Sequence, residues 1–131
     1  MSLIDFLFVL GRIIYGGFFI YNGIAHFVNR KELVNYASFK KVIAPNIAVL
    51  ITGLLLILGG VGIVTGAYIV WAVIFLSLFL FFVSLKMHNF WKATSPEEKM
   101  REKVNFFKNM ALWGAALMLL SIPTPWPYSL F

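Results

Sequence analysis

The stretch that decides the fold is residues 46–85, which reads NIAVLITGLLLILGGVGIVTGAYIVWAVIFLSLFLFFVSL and contains no charged side chain. The hydrocarbon core of a membrane is about 30 Å thick and requires roughly 20 apolar residues in a spanning helix. The stretch is long enough for two such helices, and Thr65-Gly66 near its middle is a turn signal. We therefore predict a helical hairpin with spans at about 46–64 and 67–85.

Two further apolar runs, at about 3–28 and 106–122, are also long enough to form spanning helices. The chain of 131 residues is 61% hydrophobic and 12% charged, whereas a soluble domain carries roughly 25% charged residues. We therefore predict an all-α fold in lipid. The chain is one transmembrane domain, residues 1–131, that forms an integral membrane four-helix bundle of two hairpins with a short outer turn and amphipathic cytoplasmic loops.

The charges predict the orientation of this bundle. All of the 11 lysine and arginine residues except Arg12 lie in residues 29–45 and 86–108, and the turn at 65–66 and the tail carry none. Positively charged loops stay in the cytoplasm. We therefore predict a multi-pass protein of the plasma membrane with both charged loops in the cytoplasm and both termini outside. The net charge of +6 follows this topology and does not indicate nucleic-acid binding.

Glycines recur at helical spacing in the predicted spans. Gly16 and Gly23 are seven residues apart and share one face of the first helix, and Gly114 begins a Gly-Ala-Ala run in the fourth. Small residues let helices approach closely in lipid. We therefore predict that these glycines mark helix contacts.

The run Ser95-Pro96-Glu97-Glu98 predicts the start of a helix before the fourth span. Ser95 is the cap, Pro96 fits the first helical position, and Glu98 closes a capping box. Glu97 and Arg101 are four residues apart and are expected to form an ion pair.

Arg12 lies inside the first apolar run, where a charge is costly. It either reaches the outer surface or pairs with Asp5 on the same helix face, or it holds an anionic or carbonyl-bearing ligand inside the bundle.

At the other end of the chain, three prolines stop the last helix. Trp126 and Tyr128 in this tail suit the outer membrane interface.

His26 and His88 end the first and third spans and are therefore predicted at one depth. Each either ends its helix at the wet interface or joins the other in relaying protons, binding a quinone carbonyl, or ligating a metal or haem. No third ligand accompanies the two histidines, and the chain has no cysteine. No metal site is therefore predicted.

The segment KMHNFWK, residues 86–92, ends the third span with His88, Asn89 and Trp91. Asn105 and Asn109 begin the fourth span on the same side of the membrane and share a helix face. Polar side chains between helices must satisfy each other or a ligand. The cluster is therefore either a polar lock that joins the third and fourth helices or a small pocket under the loop.

These residues resemble the signature of the DoxX family. The resemblance covers nearly the whole chain and rests on HNFW at 88–91, on NFFKNMALWG at 105–114, and on Arg12, Gly16, Phe19 and Gly23. It implies a DoxX/DoxD-like small four-helix integral membrane protein. The candidate functional residues at matching positions are Arg12, His88, Asn89, Trp91, Asn105 and Asn109, which line a ligand or quinone site, and His26 is a secondary candidate.

The family is associated with redox and sulfur metabolism, and its name is linked to membrane subunits of archaeal thiosulfate:quinone oxidoreductase. The resemblance therefore implies a membrane subunit of a quinone-linked redox system that binds quinone or docks a redox partner. Many relatives are expected to carry an acid in the second helix. This chain has Thr52-Gly53 there, which weakens a proton-relay role.

The chain has no flavin or nicotinamide fingerprint. We therefore expect no intrinsic cofactor other than a bound quinone, and enzymatic activity only as a subunit of a quinone-dependent oxidoreductase. The alternatives are an accessory scaffold subunit of a larger membrane complex and a small transporter. The expected partners are the lipid bilayer and membrane or cytoplasmic redox subunits, in a homo- or hetero-oligomer.

Overall fold

Every regular element in the computed structural model, which describes residues 1–130, is a helix. The α-helices are α1 Leu3–Val28, α2 Arg30–Phe39, α3 Pro45–Thr65, α4 Ile69–Lys86 and α5 Pro96–Leu119. A short 3₁₀ helix, Phe90–Lys92, lies between α4 and α5. The predicted all-α class is confirmed for the part of the chain that the structure describes, and α1 has the predicted bounds.

Three segments are long and apolar enough to cross a membrane: α1, α3 and Ile69–Lys92, which contains α4. Between 17% and 39% of their apolar windows is buried inside the protein, so most of these apolar side chains face outward, as lipid surroundings require. The fourth predicted span, 106–122, is helical as far as Leu119. Helix α5 is not among the candidate spans, and the predicted count of four is not confirmed.

Helices α1 and α3 pack backbone against backbone along a row of glycines. A Cβ on Gly16 would lie 2.7 Å from the carbonyl oxygen of Gly60, and a Cβ on Gly23 would lie 2.9 Å from that of Gly53. Because the later residue of α1 meets the earlier residue of α3, the two helices run in opposite directions. The prediction that Gly16 and Gly23 mark a helix contact is confirmed. In the Gly-Ala-Ala run of the fourth predicted span, Ala116 is buried in the core, whereas a Cβ on Gly114 would meet nothing within 4 Å.

The helices follow one another in space in the order α1, α3, α4, α5. Residues 66–68 connect α3 to α4, with Gly66 and Tyr68 in the left-handed region at φ 73° and 50°. Helix α5 packs on α4, while no close backbone approach joins α5 to α1 among the described residues. The α1–α5 gap is bridged by side chains, including the Tyr15 hydroxyl, which donates to the carbonyl of Leu112. This gap leaves room inside the bundle.

We call the end of the helices that carries α2, the 3₁₀ helix and the start of α5 the charged end. The opposite end, with the N-terminus, the α3–α4 turn and the C-terminal tail, is the tail end. Helix α2 packs on α3 and buries Ala37, so the loop before α3 is a structured part of the charged end.

The start of α5 confirms Ser95 as the cap and Pro96 as the first helical residue, and corrects the capping box and the ion pair. The Ser95 hydroxyl accepts from the backbone N–H of Glu98 at 3.1 Å, as predicted. The Glu98 carboxylate accepts from the backbone N–H of Thr94 at 3.2 Å, so the bond predicted to Ser95 goes one residue further back. No ion pair joins Glu97 to Arg101 among the described residues, because Arg101 turns to Glu102, with Nε 3.6 Å from Oε1.

Arg12 fastens the C-terminal tail to the end of α3. It donates to the backbone carbonyls of Pro127, of Val64 at 3.0 Å and of Tyr128 at 3.4 Å, and its side chain is only 4% exposed. No ion pair joins it to Asp5 in residues 1–130. Its partners are backbone carbonyls at the tail end. One of them, the carbonyl of Val64 in the last turn of α3, has no donor within its own helix.

The tail itself completes this closure. The backbone N–H of Leu130 donates to the carbonyl of Thr65 at 2.9 Å, and the Ser129 hydroxyl donates to that of Gly66 at 2.9 Å. The indole of Trp126 is 2% exposed and packs edge to face on Phe8 with centroids 5.0 Å apart. The prediction that Trp126 lies at the membrane interface is therefore wrong, because the tail folds back and inserts this ring into the core.

Replacement of Gly16 by alanine is expected to destabilise the protein by about 1–3 kcal/mol, because the new methyl group overpacks the α1–α3 contact. Gly17→Ala is the matched control, since a Cβ there would meet nothing within 4 Å. Thermal unfolding in detergent measures both. Equal midpoints for the two variants would contradict the backbone contact.

Replacement of Arg12 by lysine is expected to cost about 1–3 kcal/mol, because an ammonium group cannot reproduce the spread of hydrogen bonds that a guanidinium makes. The tail should also become sensitive to carboxypeptidase. Arg30→Lys, at an exposed position, is the control. A tail that stays as resistant in Arg12→Lys as in Arg30→Lys would show that Arg12 does not hold it.

Candidate functional site

A cavity of about 740 Å³ lies in the charged half of the protein and is lined by all five α-helices and the α2–α3 connection. Ligand sites in proteins have roughly 300–1,000 Å³. Its walls are mainly aliphatic and aromatic side chains, among them Phe19, Leu56 and Phe79. The polar or charged side chains that line it are Asn22, His26, Tyr36, Thr52, Lys86, His88, Lys108 and Asn109. A lipophilic molecule with one polar end matches this lining.

His88 lies just beyond the end of α4, where the chain leaves the helix. Its backbone N–H still donates to the carbonyl of Val83 at 3.3 Å, which keeps the residue against the last turn. The ring lines the cavity, and its Nδ1 is buried without a hydrogen-bond partner, 3.6 Å from a carboxylate oxygen of Glu102. His88 therefore lies between the cavity and a buried carboxylate.

Glu102, on the second turn of α5, is the centre of a polar cluster that the sequence analysis missed. Its side chain is 1% exposed and accepts from the Tyr36 hydroxyl at 2.8 Å and from the Lys40 ammonium at 3.0 Å. A sequence signal existed, because Glu102 precedes Asn109 by seven residues and therefore shares its helix face. Tyr36 lies in α2, and Lys40, four residues later, caps the C-terminal end of that helix.

The partners of Glu102 hold it as a carboxylate. Burial opposes the charge most strongly, but the hydrogen bonds from Lys40 and Tyr36 and the positive charge nearby outweigh it and lower the pKa of Glu102 below its ordinary 4.5. Burial, followed by the hydrogen bond to Glu102, raises the pKa of Tyr36. Tyr36 therefore stays a protonated donor, and the cluster ties α2, the end of α4 and α5 together.

Asn109 and His26 complete the polar part of the cavity lining. Asn109 is 5% exposed, and its amide makes no hydrogen bond to any other side chain or backbone group in residues 1–130. Buried amides almost always have a hydrogen-bond partner. Because this amide has none in the described part of the protein, it is available to a molecule in the cavity. His26 Nδ1 bonds the carbonyl of Asn22 at 2.8 Å, and its ring packs edge to face on Phe79.

Three of the candidate residues, His26, His88 and Asn109, line the cavity together. Asn89 does not line it, and its amide oxygen accepts from Lys40 at 3.1 Å. Trp91 is 50% exposed and packs on Phe90 and Phe106 at the charged end.

Asn105 also lies outside the cavity lining, and its amide oxygen is 3.5 Å from the Lys108 ammonium. Arg12 lies at the tail end. No hydrogen bond joins the predicted cluster residues of the third and fourth spans to one another among residues 1–130. Asn89 instead bonds Lys40, which pairs with Glu102, while His88 and Asn109 line the cavity. Among residues 1–130, no three histidine, aspartate or glutamate side chains come together as a metal site.

The stability of the protein is expected to fall in acid because of Glu102. Since its pKa is lowered in the folded state, its stabilisation is fully present above about pH 4.5 and is lost as the pH falls further. Thermal midpoints measured between about pH 3 and 7 should decline below 4.5 in the wild type and less steeply in Glu102→Gln. Glu97→Gln, an exposed control, should keep the wild-type profile; identical profiles in all three proteins would contradict the role of Glu102.

A family model described as DoxX matches residues 7–89, which contain Arg12, His26, His88 and Asn89. The match ends before Trp91, Asn105 and Asn109. No curated protein and no solved structure matches the chain. The family match covers well over half of the 131 residues. It contains the second candidate span completely, the first except for residues 3–6, and the third except for residues 90–92. The chain is therefore a multi-pass membrane protein that belongs to the DoxX family.

Proposed function

We propose that this protein is an integral membrane subunit of a quinone-linked redox system and that it binds the quinone in the cavity at its charged end. The observation that carries the proposal is a mainly apolar cavity of about 740 Å³ lined by His88 and Asn109. Among the described residues, His88 Nε2 and the Asn109 amide make no hydrogen bond and are not sealed from the cavity. A quinone has a planar ring with carbonyl acceptors and an apolar tail. Its ring and tail match the aliphatic and aromatic walls, and its carbonyls match an imidazole and an amide donor.

The aromatic partner for the ring would be Phe79 or Phe82, which line the cavity. Phe90 and Trp91 do not line it, which argues against the predicted place of Trp91 in the quinone site. Lys86 and Lys108, also in the lining, add positive charge near the polar end. This charge favours a carbonyl or anionic head group over a cationic one.

The protein would receive its electrons from a partner, because it has no thiol and no flavin or nicotinamide fingerprint. The charged end offers exposed lysine and arginine side chains around the α2 and α5 starts, among them Arg30, Lys31, Lys99 and Lys103. We place this end on the cytoplasmic side of the plasma membrane, with residues 106–122 as a fourth span. A redox subunit with an acidic surface would dock there.

The second candidate function is an accessory scaffold in a larger membrane complex. The observation that favours it is the lock formed by Lys40, Asn89 and Glu102, which gives the polar side chains of the charged end a structural role without any ligand. On this view the cavity would hold lipid. Mild-detergent purification distinguishes the two, since a co-extracted quinone supports the first and a stoichiometric partner with no small molecule supports the second.

Replacement of His88 by alanine, or of Asn109 by leucine, is expected to weaken binding of a decyl-substituted benzoquinone by about tenfold, the equivalent of one hydrogen bond to a buried group. Binding is measured by calorimetry on the protein in detergent micelles. Trp91→Leu and Asn105→Ala are matched controls, since both residues are candidates outside the cavity. Unchanged affinity in folded His88→Ala and Asn109→Leu proteins would refute the site.

A further inference from the structure

The two ring nitrogens of His88 have different neighbours. Nδ1 is sealed from solvent and lies 3.6 Å from Oε2 of Glu102. The ring lines the cavity, and Nε2 is neither hydrogen-bonded nor among the sealed polar atoms of the described residues, so it is the nitrogen that a bound molecule can reach. One side chain thus connects the ligand space to a carboxylate that is itself 1% exposed.

We propose that Glu102, acting through His88, determines which form of a quinone the cavity binds: the carbonyl form binds with uptake of one proton, and the hydroxyl form binds without it. This inference rests on the proposed function and deepens it. Glu102 is a positioning residue, since it does not line the cavity and acts only through the imidazole.

The chemistry follows from the tautomer that a carboxylate selects. A carboxylate beside Nδ1 favours the proton on that nitrogen, which leaves the lone pair of Nε2 facing the cavity. Neutral His88 therefore accepts a hydrogen bond from a hydroxyl group but cannot donate one to a carbonyl. When His88 takes up a proton, Nε2–H becomes a donor to a carbonyl oxygen, and the positive ring is stabilised by Glu102 at its other nitrogen.

The charges around His88 decide how easily it takes up this proton. The titratable groups that face it or share its cavity are Glu102 and Lys108 on α5, Tyr36 on α2, Lys40 directly after α2, His26 on α1, and Lys86 at the end of α4. Helix α3 adds none to the cavity lining. Burial and the lysines oppose a charged ring, while Glu102 is the only acid in this set. His88 should therefore take up the proton only when a bound ligand accepts a hydrogen bond from its Nε2–H.

The first test measures protons taken up on binding. Calorimetry at about pH 7.5 in two buffers of different ionisation heat gives this number for a decyl-substituted benzoquinone and for its hydroquinone kept under argon. The wild type should take up close to one proton with the quinone and close to none with the hydroquinone. Glu102→Gln should lose the uptake and bind the quinone about tenfold more weakly, whereas Glu102→Asp should recover part of both.

The control is Glu98→Gln, a carboxylate 3.9 Å from Lys40 that makes no contact with His88, and it should behave as wild type. A second measurement needs no ligand: nitrogen NMR of the imidazoles, with His26 as internal reference, should show the titration of His88 about one pH unit lower in Glu102→Gln.

Quinone binding with equal proton uptake in the wild type and Glu102→Gln, or an unmoved His88 titration, would overturn the inference and leave the proposed function standing. Absence of binding of either form to the wild type would overturn the proposed function, and the specificity assigned to Glu102 with it.

Discussion

A charge buried among apolar helices is stable only with several partners, and the two buried charged side chains in residues 1–130, Arg12 and Glu102, organise the two ends of the protein. Arg12 at the tail end gathers backbone carbonyls of α3 and of the C-terminal tail. Glu102 at the charged end gathers Tyr36, Lys40 and Arg101. Each set joins segments that are far apart in the sequence. The glycine contact between α1 and α3 sets the spacing of the helices between these two ends.

The same arrangement explains why the cavity exists. Helices α1 and α3 are in backbone contact, and α5 is held on the far side of α4. The space between α1 and α5 is therefore wider than a helix–helix contact and is bridged by side chains such as Tyr15. Helix α2 and its connection cover this space at the charged end. The packing of the helices thus leaves an apolar cavity with a polar end.

The polar residues at the charged end fall into two groups, one bonded within the protein and the other lining the cavity. Asn89 and Lys40 satisfy each other and hold the 3₁₀ segment against α2. Asn109 and His88 also belong to the charged end, but both line the cavity, and neither side chain makes a hydrogen bond among the described residues. A side chain whose hydrogen bonds are made within the protein stabilises the fold, and one whose hydrogen bonds are not made is available to a ligand. This difference is the physical basis for proposing binding at His88 and Asn109.

The sequence by itself determined the helices. Uninterrupted apolar runs predict spanning helices, and the bounds of α1, α3 and α4 agree with the prediction within a few residues, because apolar length and a glycine turn are local properties. The cap at Ser95 was likewise readable, since it involves neighbours only. Membership of the DoxX family, which the resemblance predicted, is confirmed by a match over residues 7–89, whereas the motif at 105–114 lies outside the matched residues.

The tertiary structure alone decided which polar residues meet. Arg12 and Trp126 are more than a hundred residues apart, and only the folded tail brings them together, with the guanidinium 5.6 Å from the indole ring. Glu102 looked like one more charge in a basic segment, and its burial follows from the docking of α2 on α3, which brings Tyr36 and Lys40 to its carboxylate. Helix formation depends on the next few residues, whereas the partner of a buried charge depends on how helices pack, and spacing along one helix does not contain that information.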